Sequence, residues 1–132
     1  MKHFSFLLLV IVFFISCKPD KKDPVVIKPG IYKGQFYHTS PYIYHAPSNV
    51  TLTFTDQRFS GTSDQERFPA ICRGSYKTAD QEIEFVNECP WTADFDWNYI
   101  LNGKYRVKIV GDVLELTKQS GDDIYRYQLE KQ

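Results

Sequence analysis

One stretch of this chain, residues 71–89 (ICRGSYKTADQEIEFVNEC), constrains the fold most, because its two halves match as the strands of a β-hairpin. A turn at Asp80 and Gln81 places mainly apolar residues on one side of the hairpin and opposite charges on the other. The facing pairs are Tyr76 with Phe85, Cys72 with Cys89, Lys77 with Glu84, and Arg73 with Glu88. Shifting the pairing by one residue would turn the aromatic rings to water, so the pattern fixes the register.

The N-terminus has the layout of a secretory signal. Lys2 and His3 precede the apolar run FSFLLLVIVFFIS, which is too short for a comfortable membrane span. The run ends at FISC, where the small residue before Cys17 resembles a bacterial lipobox. The resemblance implies that the signal peptide, residues 1–16, is removed and that lipid attached to Cys17 anchors the chain. The alternative is an ordinary signal or anchor followed by an incidental cysteine.

The segment after the signal, residues 18–29 (KPDKKDPVVIKP), mixes charges with prolines and shows no periodicity, which predicts an extended tether. The chain therefore divides into a signal peptide (1–16), a lipidated cysteine with a flexible tether (17–29) and a folded domain (30–132). The charged run after Cys17 resembles the export tails that send some lipoproteins to the outer membrane or cell surface. A solvated spacer explains the composition equally well.

The remaining cysteines are predicted to form a disulfide. Cys72 and Cys89 fall on a non-hydrogen-bonded pair of the hairpin, where Cα atoms lie about 4.5–5.5 Å apart, and an exported chain meets an oxidising compartment. Two isolated cysteines would also lack the further ligands of a zinc site. A bridge closing a loop of this size contributes about 3 kcal/mol.

The charge balance argues against a nucleic-acid partner. Removing the signal leaves 15 Lys and Arg, which is the 16 of the whole chain less Lys2, against 16 Asp and Glu. A nearly neutral chain has no electrostatic footprint for nucleic acid.

From Gly30 onward, aromatic and β-branched residues alternate with polar ones, which predicts strands and no helix. Eight strands are predicted near 31–38, 50–55, 58–63, 70–78, 83–89, 104–110, 113–118 and 123–130. Each has one apolar and one polar face, and a meander of such strands removes its edges by closing into a barrel. The predicted fold is thus an all-β, eight-stranded, antiparallel up-and-down barrel, with a small β-sandwich as the alternative.

The same alternation predicts the other hairpin registers. The facing pairs are Phe54 with Phe59, Leu52 with Gly61, Val107 with Leu116, Ile109 with Leu114, Lys108 with Glu115, Leu116 with Tyr125, Leu114 with Tyr127, and Glu115 with Arg126. Lys108, Glu115 and Arg126 would then form one row of alternating charge across the last three strands.

The strand order, the Gly30-Ile31-Tyr32 start and the ending LNGKYRVKIVGDVLELTK resemble the lipocalin-like (calycin) domains of bacterial envelope lipoproteins. The resemblance extends over nearly all of the mature chain through pattern rather than a diagnostic motif. It departs from the family at Tyr32, where lipocalins usually have tryptophan, and in lacking their long loops and terminal helix. The resemblance implies a short barrel with a binding role.

A calcium loop is the first metal site to consider. Asp94, Asp96 and Asn98 match its D-x-D-x-N opening, but its sixth position is Tyr99 rather than glycine and its twelfth is Tyr105 rather than glutamate. Acidic residues in a solvated connection explain the motif at least as well.

Two histidines, His38 and His45, flank the loop SPYIY. Without a nearby thiolate or third histidine they make a poor metal set, and we expect them at the surface. The chain has no Gly-x-Ser-x-Gly elbow and no carboxylate pair with a telling spacing. We therefore expect neither metal nor cofactor and no enzymatic activity.

Aromatic residues in two loops are the candidate binding residues. They are Tyr42 and Tyr44 in the first loop, with Tyr37 beside it, and Trp91, Phe95, Trp97 and Tyr99 in the later loop. Exposed on a rigid barrel, they could bind a protein, a glycan or an apolar ligand. In the alternative interpretation Trp91, Phe95 and Trp97 fold inward as a plug over the barrel end, as large apolar side chains favour burial.

The predicted interior carries many large rings, and an eight-stranded barrel is just wide enough for side chains to fill it. A site at the barrel mouth is therefore favoured over a deep cavity. We expect a monomeric cell-envelope binding protein at the outer membrane, attached to the membrane through Cys17. Its ligand would be a small apolar or amphipathic molecule at the mouth; alternatively the loop aromatics would serve protein interaction or inhibition.

Overall fold

Eight antiparallel strands follow one another around a closed barrel in the computed structural model, which describes residues 23–132. The strands are β1 (Gly30–Thr39), β2 (Ser48–Phe54), β3 (Arg58–Ser63), β4 (Arg73–Ala79), β5 (Glu82–Asn87), β6 (Gly103–Val110), β7 (Val113–Ser120) and β8 (Asp123–Lys131). β8 pairs back onto β1, which confirms the predicted up-and-down barrel and excludes the β-sandwich. The predicted signal peptide and Cys17 lie outside the described residues. No helix within residues 23–132 has the length and apolar character needed to cross a membrane.

Aromatic side chains fill the barrel interior. The Phe85 ring lies 5.0 Å from Phe59 and 5.6 Å from Tyr105, measured between ring centroids. The contacts continue from Tyr105 to Tyr127 at 5.9 Å and from Tyr127 to Phe36 at 4.8 Å. Such edge and tilted contacts add about 0.5–1.5 kcal/mol each to the burial of the rings. A ligand would have to displace these rings to enter, so the space available to one lies outside the core.

The hairpin at residues 71–89 forms as predicted. Tyr76 faces Phe85 and Lys77 faces Glu84, with 2.8 Å between the Lys77 ammonium and the Glu84 carboxylate. A disulfide joins Cys72 and Cys89, as expected. The predicted pairs Phe54 with Phe59 and Val107 with Leu116 are also confirmed. The core pattern and the cross-strand charges therefore specify these registers together.

The charge pair expected between Arg73 and Glu88 is not the one that forms. Glu88 instead makes a bidentate bond, at 2.7 Å for each oxygen, with Arg58 on the neighbouring strand β3. The planar guanidinium matches both carboxylate oxygens. The ion pair therefore ties β3 to the disulfide hairpin.

The predicted register of β7 with β8 is wrong by two residues. Leu116 faces Tyr127 rather than Tyr125, and Arg126 faces Thr117 rather than Glu115. The turn lies at Gly121 and Asp122, where Gly121 has a φ of +60°, a value that glycine adopts without strain. Lys108 faces Glu115 as predicted, but Arg126 does not extend this pair into a row of alternating charge. The Arg126 guanidinium instead lies 4.9 Å from the centre of the Tyr37 ring.

The end of the barrel that carries the turns at 55–57, 80–81 and 111–112 is here called the closed end, because residues 23–29 cross it. Ile27 is only 6% exposed and belongs to the core cluster, with Val25 packed against that cluster. The Val25 N–H donates to the Asp80 carbonyl at 2.7 Å. This differs from the spacer predicted for the last part of the tether: Val25 and Ile27 pack against the barrel core, whereas Val26 between them is exposed.

Buried tyrosines make the barrel sensitive to alkali. Burial raises the pKa of Tyr105 and Tyr127 well above the usual value, and burial with nearby carboxylates raises the pKa of Tyr125 to about 12. Tyrosines of the unfolded chain ionise near pH 10, so the unfolded state loses protons first. We expect the free energy of unfolding to fall as pH rises above about 10. Denaturant titrations across this range check it, and a flat profile would contradict it.

Candidate functional site

The opposite end, here called the loop end, carries the loops at 40–47, 64–72 and 88–102 and the turn at 121–122. The two longer loops are bound to each other: the Ala70 N–H donates to the Tyr99 carbonyl at 2.9 Å, and the Leu101 N–H donates to the Ala70 carbonyl at 3.0 Å. The Cys72–Cys89 disulfide joins the same loops. The 88–102 loop is therefore fixed to the barrel rather than hanging from it.

A single 3-10 turn, Trp97–Tyr99, lies over the barrel mouth. It begins where the Asp96 carboxylate accepts the Asn98 backbone N–H at 2.8 Å, and the Lys118 ammonium donates to the Asn98 carbonyl at 3.1 Å. The Tyr99 ring packs against Tyr125 at 5.8 Å, in the top of the core. The turn thus covers part of the mouth and fixes the two residues at its ends.

The aromatic residues of this loop take different positions. Trp97 is 58% exposed, while its indole N–H donates to the Thr92 carbonyl at 3.1 Å. Trp91 and Phe95 are half-buried and lie 5.9 Å apart. The plug interpretation is therefore wrong for Trp97, which faces solvent. Tyr99 is the residue that packs over the mouth.

Asp94, the first residue of the calcium-like motif, forms an ion pair with Arg67. Asp94 accepts hydrogen bonds from the Thr92 hydroxyl and from Arg67, with 2.6 Å to the guanidinium, and both bonds lower the pKa of its carboxyl. The Arg67 guanidinium also lies 5.4 Å from the centre of the Phe95 ring. Among residues 23–132, no three His, Cys, Asp or Glu side chains come together as metal ligands.

The first loop presents its aromatic residues directly to solvent. Tyr42 is 82% exposed and Tyr44 is 88% exposed, with the partly exposed Ile43 between them. The loop is anchored by an isolated bridge from Thr39 to Tyr44. Three consecutive large side chains therefore stand at the tip of an ordered loop.

His38 is buried and His45 is half-buried, which corrects the prediction that both lie at the surface. His38 is 9% exposed and stacks on Tyr125 at 4.8 Å, and its Nδ1 lies 3.2 Å from the Tyr99 hydroxyl. The same hydroxyl lies 3.4 Å from His45 Nε2, and His38 Nε2 lies 3.4 Å from an Asp123 carboxylate oxygen. These contacts join the end of β1 and its following loop, the 88–102 loop and the start of β8 at the barrel mouth. Sequence gave no signal for them, since Tyr99 is 61 positions from His38.

Lys118 is the residue of this end that sequence analysis missed. It follows Leu114 and Leu116 on the inward face of β7, and its ammonium lies 5.2 Å and 5.3 Å from the ring centres of Tyr105 and Tyr125. Burial lowers the pKa of Lys118, and the Asp96 carboxylate opposes that shift. The alternation in LELTK places Lys118 on the same face as Leu114 and Leu116. This inward position was the signal in the sequence that could have identified Lys118.

A groove of about 640 Å³ runs between the 88–102 loop and the barrel wall, and we call it the rim groove. It is lined by aromatic, amide and cationic side chains together with the disulfide: Asn87, Cys89, Pro90, Trp91, Trp97, Asn98, Ile100, Asn102 and Lys118. This volume lies within the range of small-molecule sites, about 300–1,000 Å³. The groove therefore joins two of the predicted binding residues to Lys118.

Comparison of the chain with protein-family models, with curated proteins and with solved structures found no match. The closed eight-stranded barrel is consistent with a calycin-like fold and resembles binding proteins more than enzymes. Because fold alone does not assign function, the assignment depends on the geometry of the loop end.

Proposed function

We propose that this protein is a lipid-anchored envelope protein that binds a small amphipathic ligand in the rim groove. One observation carries the proposal: a groove of ligand size lies beside Trp91 and Trp97, on a loop fixed by the disulfide and by backbone hydrogen bonds. A site with rigid walls loses little entropy when a ligand binds. Since aromatic rings fill the barrel core, the ligand lies at the rim rather than inside.

The proposed anchor would orient this groove. Cys17 precedes Asp23 by six residues, which span about 20 Å when fully extended. Residues 23–29 lie against the closed end of the barrel. A lipid on Cys17 therefore keeps the closed end near the membrane and leaves the loop end facing away from it. This arrangement suits a binding protein that is anchored in the outer membrane or at the cell surface.

Binding at the rim groove depends on Trp97. We expect the neutral probe N-phenylnaphthylamine to bind with quenching of tryptophan fluorescence, and Trp97→Ala to weaken binding about tenfold or more, as loss of a central aromatic contact does. The double variant Tyr42→Ala with Tyr44→Ala is the control. Both residues lie in the 40–47 loop and do not line the groove, so their replacement should leave binding unchanged. Equal weakening by the control, or an unchanged affinity for Trp97→Ala, would disprove the assignment.

A second candidate function rests on the exposed tip of the first loop. Tyr42, Ile43 and Tyr44 form an apolar tip on an ordered loop, and tyrosine is enriched where proteins contact one another. This tip suits a protein-interaction or inhibitor role. A photo-crosslinking residue at position 43 should give one discrete protein adduct in envelope preparations, whereas the same residue at position 108 should give none. Identical adduct patterns would exclude this function.

A further inference from the structure

The lining of the rim groove is more polar than an apolar ligand needs. Sites for apolar molecules are lined mainly by hydrophobic and aromatic side chains, yet three asparagines and a lysine line this groove. Within the described part of the chain, neither the side-chain amide of Asn98 nor Nδ2 of Asn102 has a protein partner. A ligand without polar groups would leave these donors unpaired, at a cost of about 1–3 kcal/mol for each donor that it covers. A ligand rich in hydroxyl groups would pair with them.

The Trp97 ring offers a flat surface beside these amides. Its N–H is already bonded to the Thr92 carbonyl, so the ring is held in place and its exposed area belongs to the apolar part of the side chain. An aromatic ring of this kind packs against flat apolar surfaces. The C–H face of a pyranose ring is such a surface, and the same sugar presents hydroxyl groups around its edge.

The charge of Lys118 adds a third requirement. Its ammonium is half-buried between two tyrosine rings, and the Asn98 carbonyl accepts one of its three N–H groups. Among residues 23–132, no carboxylate oxygen lies within 4.0 Å of it. Asp96 is the carboxylate that acts on it from further away. Partly buried charges are stabilised by a hydrogen-bonded partner of opposite charge, and here a ligand can supply that partner.

We infer that the rim groove binds an acidic saccharide. In this arrangement a hexuronate ring stacks on Trp97, its hydroxyl groups accept hydrogen bonds from Asn98 and Asn102, and its carboxylate pairs with Lys118. The inference rests on the proposed function, since it names the ligand class of the same groove. Galacturonate, glucuronate and mannuronate share this chemistry, so several polysaccharides could be the source.

Calorimetric titration of the mature full-length protein tests this ligand class. The probes are the tetrasaccharides of galacturonate, mannuronate and hyaluronan, the last for its glucuronate, with methyl-esterified tetragalacturonate as the neutral counterpart. We expect at least one acidic probe to bind, and the ester to bind about tenfold more weakly than its acid, as expected for loss of one charge-assisted hydrogen bond. Lys118→Met should abolish the preference for the acid over the ester, whereas Lys118→Arg, which keeps the positive charge, should retain most of that preference. Lys104→Met, at an exposed lysine of β6, is the matched control.

The outcomes separate this inference from the proposed function. If no acidic probe binds, or the ester binds as tightly as the acid, while N-phenylnaphthylamine still binds through Trp97, the saccharide inference is wrong and the groove remains a site for another ligand. If no acidic probe binds and N-phenylnaphthylamine also fails to bind, both the saccharide inference and the proposed function are wrong. Thermal unfolding of each variant shows whether it is folded, and retention of acid binding by Lys118→Arg separates loss of the charge from disturbance of the groove.

Discussion

Replacing Gly74 with alanine is expected to lower the free energy of unfolding by about 3 kcal/mol, which is the upper part of the usual range for overpacking a core. Gly74 is buried on the inward face of β4, and an added Cβ would lie 1.9 Å from the Val86 carbonyl oxygen and 2.9 Å from the Phe59 ring. The carbonyl belongs to the paired strand β5, so relief of this contact requires the strands themselves to separate.

Denaturant unfolding of Gly74→Ala and of Ser75→Ala checks this expectation. Ser75 is the neighbouring residue on the outward face, and its replacement should change stability by no more than about 0.5 kcal/mol. Gly34→Ala applies the same test at the seam between β1 and β8, where a Cβ would lie 2.0 Å from the Gln128 carbonyl oxygen. If both glycine variants were as stable as Ser75→Ala, the close strand approach that closes this barrel would be refuted.

Loss of the disulfide is expected to lower the free energy of unfolding by a similar amount, about 3 kcal/mol, because Cys72 and Cys89 are separated by 17 positions and their bridge restricts the unfolded chain. Cys89 also lines the rim groove. Removal of the bridge frees one end of the 88–102 loop, so binding of N-phenylnaphthylamine should weaken along with stability.

Thermal and denaturant unfolding with and without reductant measure this effect. The double variant Cys72→Ala with Cys89→Ala should match the reduced protein and should not respond to reductant itself. An oxidised protein no more stable than the double variant would show that the bridge contributes nothing to the folded state.

The sequence pattern was sufficient to predict the register of hairpins that have one apolar face and one charged face. In the Cys72–Cys89 hairpin a one-residue shift exposes aromatic rings, so the pattern admits one solution. The predicted β7–β8 register was wrong because a shift of two residues leaves the same side chains facing inward. Leu116 faces an inward tyrosine in both registers, Tyr125 in the predicted one and Tyr127 in the structure. The choice is made instead by the turn, where Gly121 adopts a positive φ as Gly111 does in the preceding hairpin.

The site was predictable only in part. The loop aromatics were found because large apolar residues are conspicuous in a polar loop, but whether Trp97 faces water depends on its hydrogen bond to Thr92. The contacts among His38, His45 and Tyr99 arise from loops that meet only when the barrel closes. Composition and spacing carry no information about such distant contacts.

The most direct measurement of the central claim, that the rim groove binds a ligand, is an NMR titration of the two tryptophan indole N–H resonances. They are assigned with Trp97→Phe and followed as N-phenylnaphthylamine is added. We predict that both resonances shift and saturate together, because Trp91 and Trp97 line the same groove. Indole resonances that stay fixed while the backbone signals of Tyr42 to Tyr44 move, or a spectrum unchanged by saturating probe, would contradict the account.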